Sequence, residues 1–382
     1  MKVLHVVEAS EAGVARHLID LCTGLVQHGV EVHLVYSPVR MDALMQRGLE
    51  RLQQLGVRPY ALPMRRAPHW SDLRAMARLH AYIQQQGPFD VIHAHSSKAG
   101  GITRLLALLS RSVRQTPLVY TPHAFVTLAQ WMGWKRRVYG AVERLLAPFT
   151  TRLIAVSEVE REEALRLGYP PAKLVKIYHG IHPLNPPAGC RSVRRRWGVP
   201  DSGLVIGFLG RLDHQKNPFL LLRAFAKALE ALPHSTTLVL AGSGPLAEPL
   251  QRTLHSWGLQ DRVFLPGFMK AEEALCGFDL FVISSDYEVG PYVLLEAMAV
   301  GLPVVTTRVG MAPEILQDGV NGFVVPCNDE ETLADRMVRL ATDPNLRRHM
   351  GKRAKETVRQ FSVDRMVAQT LQLYEQIQSP SG

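Results

Sequence analysis

Two cations and two carboxylates stand where short loops leave apolar runs. Residues 210–218 read GRLDHQKNP, behind the run LVIGFL and ahead of an amphipathic stretch. Asn217 suits a helix cap and Pro218 the first helical turn, which puts Arg211 and Lys216 at a strand end beside a helix N-terminus. Two fixed cations beside a positive dipole end make an anion site, best suited to a diphosphate. Two solvated loop charges are the plainer account. Residues 284–305 read SSDYEVGPYVLLEAMAVGLPVV. Glu288 follows a strand-like run, and Glu296 comes eight residues later within a helical pattern. Carboxylates accept hydrogen bonds from hydroxyls, so the pair fits a polyhydroxylated ligand. The plainer account is one capping and one surface glutamate. Against it, Glu296 sits among Leu294, Leu295, Ala297 and Met298, an awkward place for an unpaired charge.

Weaker signals lie in the first half. TPHAF at 121–125 places His123 just past an apolar run, as a base, a polar clamp or a satisfied structural histidine. In HAHS at 93–96, His93 and His95 share a face if extended, but no third metal ligand is apparent, and no metal site is expected. Gly13, in EASEAGVARHL, opens the first helix and lets its backbone approach a ligand closely. The turn is not G-x-G-x-x-G, which disfavours an ordinary dinucleotide site. GSGP at 242–245 is another strand-to-helix turn. The chain has no P-loop, no G-x-S-x-G and no D-x-D to hold a divalent metal on a diphosphate.

These loops need a scaffold. Compact β-branched runs at 2–7, 31–36, 57–62, 90–94, 118–121, 152–156 and 174–177 predict strands covered on both faces, with amphipathic helices between. Residues 179–200, rich in proline and arginine, read as a linker with no core element. The alternation resumes at 204–210, 237–241, 262–265, 279–284, 303–306 and 322–325, and the tail from 330 is helical. The expectation is α/β: two doubly wound Rossmann-like domains facing across a cleft, with ligands at strand carboxyl ends.

Composition narrows the classes. The 382 residues are 47% hydrophobic and 20% charged, as in soluble globular proteins. Four dispersed cysteines form no C-x-x-C pair and favour a reducing compartment. The net charge is +10; residues 1–190 hold 23 basic against 13 acidic residues, and the rest 21 against 21. The basic half suggests an anionic partner on one side only. Its charges are dispersed without a recognisable nucleic-acid module, so no nucleic acid is expected. The opening apolar run is too short for a signal peptide and no run is long enough to span a membrane, so a cytoplasmic setting is expected.

In combination the motifs resemble the retaining glycosyltransferases of family 4 (glycosyl transferases group 1), which share the GT-B architecture, over nearly the whole chain. The most specific parts are E-x7-E (Glu288 to Glu296) and G-R-x4-K (Gly210, Arg211, Lys216); GSGP, LPGF at 265–268 and PEILQDGVNGFVV at 313–325 fit the same pattern. The resemblance implies domains at 1–185 and 186–363, with a final helix, 364–382, crossing back to the first. It implies that Arg211 and Lys216 bind the donor diphosphate and stabilise the leaving nucleotide. Glu296 would bond the ribose hydroxyls and Glu288 the transferred sugar. Gly13 would close on the phosphates, His123 contact the sugar from the acceptor side, and Phe268 with Met269 hold the base. Catalysis would fall to Glu288, His123, Arg211 and Lys216. The family pattern G-F-G after Glu288 is here Val289, Gly290, Pro291; Gly290 stays in the donor loop, but Pro291 offers no N–H.

The expected function is metal-independent transfer of a sugar from a nucleotide-sugar substrate, without a cofactor, to a glycan or lipid-linked acceptor in bacterial polysaccharide or glycolipid assembly. A nucleotide-sugar epimerase of the same fold and an inactive nucleotide-binding scaffold are the alternatives. Residues 125–149, with Trp131, Trp134 and Tyr139 around Lys135, Arg136 and Arg137, also suit the headgroups of an anionic inner membrane face.

Overall fold

The computed structural model describes residues 1–129, 133–184, 190–199 and 203–378. The chain divides into two compact units, one of Met1–Gly180 with Val363–Gly382, the other Ile181–Ser362.

The first unit is built on a parallel seven-stranded sheet. Its strands are β1 (Lys2–Val7), β2 (Glu31–Tyr36), β3 (Arg58–Ala61), β4 (Val91–His95), β5 (Leu118–Thr121), β6 (Arg152–Ala155) and β7 (Leu174–Lys176). Their order is β3-β2-β1-β4-β5-β6-β7. Val3, Leu4, Val6 and Val7 are all fully buried, as a strand with helices on both faces requires. One core layer gathers Leu79, Ile92, Leu106 and Tyr120. The other gathers Leu18, Leu21, Leu34 and Leu52, together with Val363, Met366, Val367 and Leu373 of the helix Val363–Gln378. That last helix therefore completes the first unit. A Cβ on Gly24 would stand 2.5 Å from Val367 Cγ2, so the helix Ala12–Gln27 needs a glycine there for the close approach.

The second unit has a parallel six-stranded sheet: β8 (Val205–Leu209), β9 (Thr237–Ala241), β10 (Val263–Phe264), β11 (Leu280–Ile283), β12 (Val304–Thr307) and β13 (Phe323–Val325). The order is β10-β9-β8-β11-β12-β13. Each sheet reverses its winding once, between β1 and β4 in the first and between β8 and β11 in the second. Loops leaving the carboxyl ends at such a point part to either side and leave a crevice for ligands.

The 179–200 linker reading needs correction. Cys190–Arg196 is a helix, and Val193 and Trp197 are buried. Trp197 stacks on Phe278 at 5.6 Å between ring centroids. Arginines on the helix's outer side masked two core residues, because composition does not resolve faces.

Candidate functional site

The loops after β8 and β11 carry Arg211, Lys216 and Glu288, with Glu296 in the helix that follows the second loop, and the sheet order sets those loops side by side. Ser284 Oγ donates to the Lys216 carbonyl (3.0 Å), Asp286 N to the Gln215 carbonyl (2.9 Å), and Gln215 Nε2 to the Tyr287 carbonyl (3.1 Å). Asn217 caps the helix Pro218–Ala228, accepting from Leu220 N at 3.1 Å, with Pro218 in the first turn as the sequence predicts.

Within this frame each cation has a carboxylate. Lys216 Nζ pairs with Glu288, whose Oε1 also accepts from Ser285 Oγ at 3.0 Å. Arg211 Nε donates to Asp213 Oδ2 at 2.5 Å, and Asp213 Oδ1 accepts from Lys216 N at 3.0 Å. Arg211 is 62% exposed and Lys216 20%. The arginine is the more exposed of the two, but each must part from its carboxylate to meet an anion. Glu296 lies in the helix Tyr292–Ala299 and is buried.

The GSGP turn has a steric reason. At Gly242 (φ +152°) a Cβ would lie 1.8 Å from the Gly210 carbonyl oxygen; at Gly244 (φ +157°) it would lie 2.3 Å from that of Leu212. Only glycines let this turn close against the Arg211 loop, and Leu212 N donates to the Ser243 carbonyl at 2.9 Å. Gly242 N in turn donates to the Gly267 carbonyl at 2.8 Å, tying in the loop of Phe268 and Met269. Phe268 is 78% exposed, an apolar ring held at the surface by that loop.

In the first unit, the residue in a left-handed conformation after β1 is Ala12 (φ 49°), not Gly13, which follows it in the helix Ala12–Gln27. Ala12 N donates to Asp42 Oδ2 at 2.7 Å. His123 (φ 52°) and Ala124 (φ 95°) are strained in the same sense. Glu160, fully buried, holds this turn: Oε1 accepts from Ala124 N (2.7 Å) and Oε2 from Val156 N (2.8 Å). Burial pushes its carboxyl up to about 7, against the pull of those two N–H groups. Nothing in the local sequence marks Glu160 for this work.

The expectation that HAHS lacks further ligands also needs correction. His5 in β1, His93 and His95 in β4, His17 in the first helix and His123 after β5 gather at the sheet's reversal. His5 Nδ1 stands 3.0 Å from His95 Nε2, and His95 Nδ1 3.1 Å from His123 Nε2. His93 is engaged by Tyr374 Oη (2.5 Å) and Thr121 Oγ1 (2.8 Å). Burial lowers all five imidazoles, His5 to about 3 and the others well below the ordinary value, so the cluster is neutral.

Two doubly wound parallel sheets, each with loop residues at its winding reversal, define a GT-B glycosyltransferase. Residues 12–183 match the family described as Glycosyltransferase Family 4, and 191–357 match Glycosyl transferases group 1. The D-inositol 3-phosphate glycosyltransferase of Actinosynnema mirum is 32% identical over 322 residues, covering 80% of this chain and 75% of its own. The N-acetyl-alpha-D-glucosaminyl L-malate synthase of Bacillus anthracis is 26% identical over 364 residues, covering 93% and 91%. Among solved structures, Anabaena HepE in complex with UDP superposes with a TM-score of 0.82 at 22% identity, covering 98% of this chain and all of its own. The chain belongs to glycosyltransferase family 4.

Proposed function

We propose that this glycosyltransferase moves a sugar from a nucleotide-sugar donor to a glycan or lipid-linked acceptor with retained anomeric configuration and without a metal ion. The observation that carries the reading is the pairing of Lys216 with Glu288 beside Arg211, at the β8/β11 reversal. A donor diphosphate takes both cations in place of their carboxylates. Glu288, released from Lys216, accepts from the sugar hydroxyls, Glu296 from the ribose, and Phe268 with Met269 cover the base. Gly13 is assigned to the phosphates and His123 to the sugar on the family resemblance. The sugar's bond to the departing phosphate oxygen breaks as the acceptor oxygen attacks the same face, and the hydroxyl proton passes to that phosphate oxygen. Fixed positive charge stabilises the leaving diphosphate, work that a metal does elsewhere. HepE is described with UDP and with UDP-glucose, which favours uridine donors as the first to try.

The test is turnover of Arg211→Ala and Lys216→Ala with a panel of UDP-, GDP- and ADP-sugars. Each variant should lose about 10²–10³ in rate while keeping its fold. Activity near that of the unaltered enzyme in both would overturn the assignment.

A second reading concerns the membrane. No helix among the described residues is long and apolar enough to span one. On the helix Gly133–Leu146, however, Trp134, Val138, Val142 and Leu145 are all exposed, spaced to form one apolar stripe. Lys135, Arg136, Arg137 and Arg144 share the helix, and Lys135 Nζ lies 5.7 Å over the Trp134 ring. An apolar stripe among cations suits a peripheral seat on an anionic leaflet, where a lipid-linked acceptor would be met. Trp131 lies outside the described residues, and Phe125 is buried in the core, so the lipid-facing stretch begins at Trp134.

A further inference from the structure

We propose that His17, His95 and His123 form a binding site for a zinc-class dication in the N-terminal unit. Their ligand nitrogens all lie within 4.8 Å of one another. They arrive from three elements: His95 ends β4, His123 follows β5, and His17 comes from the helix Ala12–Gln27. Ligands about 2.0–2.1 Å from a zinc ion stand roughly 2.9–3.4 Å apart at angles between octahedral and tetrahedral. His95 Nδ1 and His123 Nε2, at 3.1 Å, already have that spacing.

The nitrogens are suited to the ion in other ways. Neither ring nitrogen of fully buried His17 has a hydrogen-bond partner among the described residues, and His123 Nδ1 has none. His95 has an outer partner. Its Nε2 lies 3.0 Å from His5 Nδ1, and the tautomer with the proton on His95 Nε2 leaves Nδ1 with a lone pair for the metal. In that same tautomer the lone pair faces a proton on His123 Nε2, 3.1 Å away. Binding the ion moves that proton to His123 Nδ1, where no partner now sits.

Three neutral nitrogens select zinc, cobalt, nickel or copper over magnesium and calcium, which take oxygen ligands. His123 is the partly exposed member of the triad and gives the ion its way in, with a fourth position for water. The neighbouring triad of His5, His93 and His95 is less suited, because it is wholly buried and His93 is committed to Tyr374 and Thr121. The triad lies in the first unit alone; His123 is the one residue shared with the proposed sugar contact, and the binding test below reads the metal with no donor present.

The experiment is a titration of the full chain, freed of metal by a chelator and dialysed, with Co²⁺ at pH 7.5, followed by visible absorption and repeated with Zn²⁺ by calorimetry. One equivalent should bind saturably, with the intense d–d bands of four-coordinate cobalt and no thiolate charge-transfer band. His17→Ala, its fold checked by circular dichroism, should weaken binding more than tenfold. His5→Gln, which alters only the outer partner, should weaken it about 10–100-fold. His214→Ala and Cys276→Ser should leave it unchanged. No saturable binding, unaltered affinity in His17→Ala, or a thiolate band abolished by Cys276→Ser would overturn the proposal. If His17→Ala does not fold, the cobalt spectrum of the unaltered chain and the His5→Gln titration decide it.

Discussion

Replacing Glu288 by glutamine should separate sugar recognition from nucleotide binding, and in a direction that ordinary loss of a site residue would not produce. In the ligand-free site Lys216 is neutralised by Glu288. A diphosphate must pull the lysine away before it can be held. Close charge pairs couple by roughly 1.5–7 kcal/mol in double-mutant cycles. Lys216 keeps 20% and Glu288 10% of its side chain in solvent, so water screens the pair and the lower end applies. About 1.5 kcal/mol corresponds to roughly tenfold in affinity. Glu288→Gln keeps the shape and an oxygen that still accepts from Ser285, but removes the charge. Nucleoside diphosphate binding should therefore hold or tighten by up to about tenfold. The turnover rate should meanwhile fall by about one to two powers of ten, the loss of one charged hydrogen bond of roughly 1.5–3 kcal/mol to the sugar. Calorimetry with UDP, GDP and ADP, beside a donor-turnover assay, reads both numbers, and added salt should narrow the gap in nucleotide affinity. A tenfold or greater loss of diphosphate affinity in Glu288→Gln would refute this and hand Glu288 a role at the nucleotide.

Two further outcomes are expected. Turnover should be unchanged by a chelator and by added magnesium or manganese if, as proposed, Arg211 and Lys216 supply the charge at the diphosphate; a loss that either ion restores would contradict the metal-free reading. Co-sedimentation should show the enzyme on anionic but not neutral vesicles at low salt, at about 1 kcal/mol per engaged cation; Trp134→Ala with Val138→Ser should weaken it, and equal, negligible binding to both lipids would remove the membrane reading.

The sequence shows the scaffold plainly for a physical reason. Strands of a doubly covered parallel sheet are buried on both faces, so each is a compact apolar run that needs no partner to be recognised. β1, β2, β5 and β9 accordingly fall at the residues expected, and the rest within one. The candidate site after β8 and β11 is legible for a related reason: Arg211, Lys216 and Glu288 lie in loops that leave strand ends, and Glu296 in the helix that follows the second. The histidine cluster is different. His5, His17, His95 and His123 share no period and meet only because the sheet order sets β1 beside β4 and β4 beside β5. Glu160 escapes for the same reason, since the turn it holds through Ala124 lies 36 residues earlier, although its other partner Val156 is close by in sequence. At 190–197 the opposite error arises: the arginines speak louder in composition than the two residues, Val193 and Trp197, that reach the core.

The helix Val363–Gln378 has a bearing on how the chain is made. It lies against the helix Ala12–Gln27 and its Tyr374 reaches His93, 281 residues earlier. During synthesis the first unit emerges long before this piece does. The whole of Ile181–Ser362 must be translated in between, roughly 10–40 s at bacterial elongation rates. Throughout that interval the apolar face around Leu21 and Leu25 has no cover. The second unit, contiguous in sequence, can complete itself on the ribosome, whereas the first waits for the helix Val363–Gln378. A stop codon or frameshift after residue 362 would spare every donor-loop residue and still leave the opposite unit open to chaperones and proteases.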